Sequence, residues 1–277
     1  MSVSSVALVT GATTGIGRET SLALARVGHA VVVSGRRKEA GEAVAREIRD
    51  NGGEAAFVAA DVDSEESVAA LITATVERYG RLDVAVNNAG ISLDRGRLAD
   101  EPTSRFQQML TTNVLGVFWG MKYQIQQMLA QDTPGGSIVN LASIAGLGGI
   151  RYAANYSATK HAVVGLTKSA ALECATDGIR INAVALASIK TDILNTTIEA
   201  GTWNEAVIAA LQPVNRIGRP TEVAEAITWL ASPAASFVTG TILNVAMSVT
   251  FDVICIRVIE EWQTWRVTTT SPGEIRI

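Results

Sequence analysis

"SVALVTGATTGIGRE", residues 5–19, decides the fold. Its first half is a short β-branched and apolar run, Ser5 to Thr10, that reads as a strand. Glycines follow at positions 11, 15 and 17, and a helix is expected from Gly15 to Val27. Each glycine has a physical use between a strand and a helix. Gly11 permits a tight turn, Gly15 lets backbone approach a bound group closely, and Gly17 lets the helix pack on the sheet. The helix start offers free N–H groups and a partial positive charge, which suit a phosphate. Glycine spacing alone is weak evidence, and its place in a first strand–helix unit strengthens it.

The pattern then repeats. Strand-like runs at 30–34, 54–60, 82–88, 136–143, 179–185 and 240–246 alternate with helical stretches at 38–50, 64–79, 102–129, 155–176, 203–211 and 221–231. Alternation of this kind builds parallel strands joined by helical crossovers. Continuous apolar runs such as "VVV" and "VAV" mark strands buried on both faces. The expectation is an α/β, single-domain, doubly wound parallel sheet of about seven strands with helices on both faces, spanning residues 1–246. Ligands of such sheets bind outside the carboxyl ends of the strands. Those ends bring Gly11, Gly35, Asp61, Asn87 to Gly90, Ser143 and Ala185 to Ser188 to one cleft.

The totals exclude several classes. A net charge of -4 and no basic run argue against a nucleic-acid binder. Two histidines and two distant cysteines, Cys174 and Cys255, supply no metal-ligand spacing, so no metal is expected. His29, His161 and Cys174 read as structural. The N-terminus lacks the pattern of a signal peptide, and no window approaches a membrane span. A soluble, cytoplasmic protein is expected.

Two further stretches carry chemistry. "VVVSGRRKE" ends the second strand, where a site selective for NAD usually places an acid on the ribose 2′-hydroxyl. Gly35 stands there, followed by Arg36 and Arg37, whose guanidinium groups suit a 2′-phosphate. The residues favour NADP(H) over NAD(H). "NYSATKHAVVGL", residues 155–166, places Tyr156 and Lys160 on one helix face. They form either a solvated face or an acid/base pair in which the cation eases ionisation of the phenol.

Taken in order, "TGATTGIG", "DVD" at 61–63, "NNAG" at 87–90, "TNVLG" at 112–116, "NLASIAG" at 140–146, "YSATK" at 156–160 and "IKTDI" at 189–193 resemble the short-chain dehydrogenase/reductase family. The resemblance covers roughly residues 5–246. It implies a Rossmann-type oxidoreductase passing hydride between a nicotinamide and a secondary alcohol or ketone. Tyr156 would be the general acid/base, its pKa lowered by Lys160 and by the positively charged oxidised nicotinamide, and Lys160 would also hold the nicotinamide ribose. Ser143 would donate to the substrate oxygen, and Asn113 would hold a water near Lys160. Gly11, Thr14, Gly15, Ile16 and Gly17 would receive the phosphates. Asp61 and Val62 would meet the adenine. Asn87, Ala89 and Gly90 would line the adenine ribose and the central sheet, and Ile189 and Thr191 would hold the carboxamide. Plainer uses exist for each: Ser143, Asp61 or Thr191 could cap a helix, and Asn113 could satisfy a buried carbonyl.

The chain departs from the family in two places. Leu186-Ala187 stand where relatives commonly carry Pro-Gly, which should loosen or re-route the loop toward Thr191. After Ala246 the chain runs on from Met247 to Ile277. That tail is read as a subunit contact, an exposed apolar extension or an altered C-terminus. The departures leave a second reading open, a nucleotide-binding protein with impaired catalysis. Residues 188–220, with Ile193, Leu194, Ile198, Trp203, Val207, Ile208 and Leu211, should cover a small or medium hydrophobic substrate. The resemblance also implies a dimer or tetramer paired through helices 102–129 and 155–176.

Overall fold

A computed structural model describes residues 5–94, 96–199 and 204–246. The side chains of Ile193, Thr196 and Thr197 lie outside that description, as do Arg95, Trp203 and the 247–277 tail. Seven strands form one parallel sheet: β1 (Val6–Val9), β2 (Ala30–Gly35), β3 (Ala55–Ala59), β4 (Val84–Asn87), β5 (Gly136–Leu141), β6 (Ile179–Leu186) and β7 (Ile242–Val245). Their order is β3-β2-β1-β4-β5-β6-β7.

Period-two alternation builds a core on each face. Ala7, Val9, Val31, Val33, Val139 and Val184 point to one side, toward α1 (Gly15–Arg26), α2 (Lys38–Asp50) and α9 (Pro220–Ala231). Leu8, Val32, Ala85, Ile138 and Ile181 point to the other, toward α3 (Glu65–Tyr79), α5 (Gly116–Ala130) and α6 (Ala154–Cys174). Both faces are covered, as the unbroken apolar strands require.

The stretch expected as one helix over 102–129 comes in three pieces. A short α4 (Thr103–Leu110) passes through a π-turn at Thr111–Leu115 into α5. The Gly116 amide reaches back to the Thr111 carbonyl, the wider spacing that admits one extra residue. Asn113 sits in that turn, fully buried. A further helix, α7 (Asp192–Glu199), precedes α8 (Glu205–Ala210).

One buried polar network crosses the second core. Asn87 Nδ2 donates to Gln124 Oε1 at 3.0 Å and to Asn140 Oδ1 at 2.9 Å. Gln124 Nε2 donates back to Asn87 Oδ1 at 2.8 Å, and Asn140 Nδ2 donates to Thr167 Oγ1 at 2.9 Å. β4, β5, α5 and α6 are thereby locked in register. Removing one member strands the others in a low-dielectric core. Asn140→Leu should therefore cost about 2–3 kcal/mol in urea-induced unfolding. A loss under about 0.5 kcal/mol would show that the network is dispensable.

Candidate active site

The sheet order reverses between β1 and β4, and such a switch opens a crevice at the strand ends. The cleft found there has a volume of about 690 Å3, within the range of small-molecule sites. The glycine turn forms one end. Thr14 precedes α1 in extended conformation and makes no side-chain cap, so the first amides of the helix face the cleft. Gly15 holds φ +54, and a Cβ on Gly17 would collide with the Gly11 carbonyl oxygen. This cradle fits a pyrophosphate: bare backbone and a helix N-terminus with no acid in its first turn.

Asn88 holds the turn in place, which sequence reading missed. Its Nδ2 donates to the carbonyls of Thr10 at 2.8 Å and Gly11 at 2.9 Å. Asn87, by contrast, belongs to the buried network and does not line the cleft. The expectation that it meets the adenine ribose is corrected. Its side chain shares the pleat face of Ala85, toward α5, whereas Asn88, Ala89 and Gly90 line the cleft.

The adenosine end carries the two arginines. Arg37 Nη2 donates to Thr13 Oγ1 at 2.9 Å and Thr14 Oγ1 at 3.1 Å. Arg36 lies 4.0 Å from Asp61. A Cβ on Gly35 would come within 3.0 Å of the Thr13 methyl, so no acid fits there without Thr13 moving. Asp61 is not the cap of α3; Ser64 is, accepting from the Ser67 amide. Asp61 and Val62 line the cleft, and Asp63 Oδ1 accepts from Thr112 Oγ1 at 2.6 Å, tying this loop to the π-turn.

Ser143, Tyr156 and Lys160 converge on the cleft wall between β5 and α6. Ser143 Oγ accepts from the Ala145 amide at 3.1 Å and donates to the Leu186 carbonyl at 3.4 Å, so it also caps the short turn that follows. It also acts on the Tyr156 phenol, lowering its pKa. Lys160, 5% exposed, donates from Nζ to the Leu141 carbonyl at 2.7 Å and stands 5.7 Å from the Tyr156 ring centroid. Asn113 lies behind them. Its amide accepts from the Ile91 N–H at 2.8 Å and donates to the Ile91 carbonyl at 2.8 Å. A Cβ on Gly90 would sit 3.3 Å from Asn113 Oδ1 and 3.7 Å from Lys160 Nζ, so the two side chains converge behind that glycine.

The chain's own groups do not depress the phenol. Burial pushes Tyr156 up to about 12, and the Ser143 hydrogen bond pulls it only part of the way back. Burial brings Lys160 down to about 8. Its ammonium donates to the Leu141 carbonyl, and burial is the leading cause of both shifts. The phenol is thus held protonated, the state a general acid needs.

The segment at Leu186-Ala187 is held by strand pairing. β6 continues through Leu186, paired with Val245, and Ile189 bridges Gly218. Thr191 reaches the glycine turn, 3.6 Å from where a Cβ on Gly15 would lie. Its hydroxyl donates to the Ile189 carbonyl. Ile91, Ser92, Ile144, Ile150, Leu186 and Leu194 line the same cleft.

A family model described as enoyl-(acyl carrier protein) reductase matches residues 11–247. The chain is 43% identical over 235 residues to a cyclohexanol dehydrogenase of Acinetobacter sp. (strain SE19), covering 85% of this chain and 90% of that one. It is 42% identical over 236 residues to a 2,5-dichloro-2,5-cyclohexadiene-1,4-diol dehydrogenase of Sphingobium indicum, covering 85% and 93%. Among solved structures, a variant of actinorhodin polyketide ketoreductase with NADPH superposes with a TM-score of 0.84 at 39% identity, covering 89% and 97%. The chain belongs to the short-chain dehydrogenase/reductase family and is an oxidoreductase of Rossmann fold.

The pKa of Lys160 makes a stability prediction. Burial takes the ammonium from 10.5 to about 8, so between those values the unfolded chain binds more protons than the folded one. Stability from this group therefore rises with pH across that window, and below about pH 8 its full cost is present. Lys160→Met removes the cost. Its Tm should exceed that of the parent near neutral pH, with the gain shrinking as pH rises toward 10.5. A lower Tm at neutral pH would mean that the bond to Leu141 outweighs the burial cost.

Proposed function

We propose that this protein is an NADP(H)-preferring ketone reductase or alcohol dehydrogenase acting on small or medium hydrophobic rings. The convergence of Ser143, Tyr156 and Lys160 on the wall of a cleft that also holds a phosphate cradle carries this reading. Bound nicotinamide supplies or accepts the hydride. Ser143 donates a hydrogen bond to the substrate oxygen, where charge builds in the transition state. Tyr156, protonated at neutral pH, delivers the proton to that oxygen in reduction. Lys160 holds ribose hydroxyls and stabilises the phenolate left behind. Asn113 keeps a water beside Lys160 for proton resupply.

Gly11, Thr14, Gly15, Ile16 and Gly17 hold the pyrophosphate, Asp61 and Val62 the adenine, Ala89 and Gly90 the neighbouring ribose, and Ile189 and Thr191 the carboxamide. All of these line the cleft. Arg36 and Arg37 take the 2′-phosphate; the relative solved with NADPH supports this. Apolar Ile144, Ile150 and Leu194 favour an uncharged ring, in keeping with the relatives named for cyclohexanol and a cyclohexadiene diol. Exposed Leu115, Phe118 and Leu129 on the π-turn and α5 support a homodimer or homotetramer. No helix among the described residues is long and apolar enough to cross a membrane. A cytoplasmic location is part of the proposal.

Titration followed by nicotinamide fluorescence tests the cofactor. NADPH should bind at least about tenfold more tightly than NADH, and Arg37→Ala should erase most of that difference. Equal or tighter NADH binding would refute the reading of both arginines. A panel of cyclic ketones tests the chemistry. Tyr156→Phe should lose about a thousandfold or more in kcat while NADPH still binds. Near-parental turnover in Tyr156→Phe would remove the proposed acid.

A further inference from the structure

The loop between β4 and α4 places a carboxylate against α6, and the chemistry above makes no use of it. Asp94 is 8% exposed, and its Oδ2 accepts from the Tyr156 backbone amide at 2.8 Å. Asn155 contributes further hydrogen bonds to the same carboxylate. α6 lacks a cap of its own: Ala153 stands at its start, and its first turn contains no acid. Its leading amides carry the positive end of the helix dipole. The negative group that meets them comes from another element.

The same loop is pinned at its other end. Ile91 gives its N–H to Asn113 and its carbonyl takes the Asn113 amide hydrogen. Between the anchors, the Leu93 amide contacts Met109 Sδ at 3.4 Å. Four residues, Ile91 to Asp94, thus tie the π-turn of Asn113 to the helix of Tyr156. Burial raises the Asp94 carboxyl, the Tyr156 amide pulls it back, and Glu101 adds like-charge repulsion.

We propose that Asp94 is a positioning residue for the Tyr156 chemistry: it caps α6 at the tyrosine's own amide and so fixes the phenol against Ser143. This rests on the reading of Tyr156 as general acid. A buried carboxylate off the reacting atoms is otherwise a cost. Here it orients a helix start whose side chain must meet a substrate oxygen, and a displacement near 1 Å at such a site costs about a hundredfold.

Asp94→Ala and Asp94→Asn test it, with three readouts on the full chain. Turnover is measured with the ketone reduced fastest in the cyclic panel. NADPH affinity is measured by fluorescence, and exchange of the Tyr156 amide by NMR. Asp94→Ala should lower kcat about ten- to a hundredfold, with KM and NADPH Kd within about twofold, and should speed exchange of the Tyr156 amide about tenfold or more. Asp94→Asn keeps an acceptor oxygen and should recover most of the lost kcat. An Asp94→Ala protein with parental kcat or unchanged exchange would overturn the proposal. So would NADPH affinity falling in step with kcat, or an Asp94→Asn protein as slow as Asp94→Ala. Tyr156→Phe, measured alongside, separates the failures. Lost turnover there with parental Asp94→Ala overturns positioning alone, whereas retained turnover there removes the general acid and the positioning role with it.

Discussion

Parallel strands impose one constraint from which the rest of this structure follows: every carboxyl end opens on the same edge. At the order reversal, β1 and β4 must carry chains away in opposite directions while remaining paired. The gap between them is closed by one side chain. Asn88 donates to both Thr10 and Gly11 carbonyls, and Thr10 Oγ1 meets the Asn88 amide at 3.1 Å. The glycine turn is thereby held against the "NNAG" segment, with Gly11 so near Ala89 that a Cβ would come within 2.8 Å. The phosphate cradle and the Tyr156 wall are two ends of a single cleft because this clasp sits between them.

Burial then sets the electrostatics of the wall. Lys160 and Tyr156 are pushed toward their neutral forms, the lysine down and the tyrosine up. The two shifts do different work. A neutral phenol is ready to give a proton. A lysine close to its own titration point can share a proton with a neighbour at little cost. Positive charge brought in by an oxidised nicotinamide would stabilise the phenolate. Stability is lowered in exchange, a common feature of functional clefts.

Much of this was legible in the sequence. The period-two strands, the glycine turn and the Tyr156–Lys160 spacing depend on local pattern, and the helix at 38–50 matches its expected bounds. What was not legible depends on distant partners. The π-turn is stabilised by Asn113 bonding the Ile91 backbone, and by close packing of Gly116 on the Val62 carbonyl. No window around residue 113 contains those partners. Asn87 could have been assigned by parity, since it shares the face of Ala85, but the resemblance drew it to the cleft. Asp94 carries no motif at all, because a cap supplied from another element has no local spacing.

Leu186-Ala187 shows how a local rule yields to pairing. Pro-Gly at this point would end a strand; leucine and alanine instead let β6 gain another rung against β7, with Leu186 opposite Val245 and the Ala187 amide 3.5 Å from the Val245 carbonyl. The Leu186 side chain enters the core beside Leu141, Val184 and Ile189. Its carbonyl faces the other way and accepts the Ser143 hydroxyl at 3.4 Å. That bond is long, hence weak. Leucine and alanine at 186–187 therefore keep the segment leading to Thr191 in place through strand pairing.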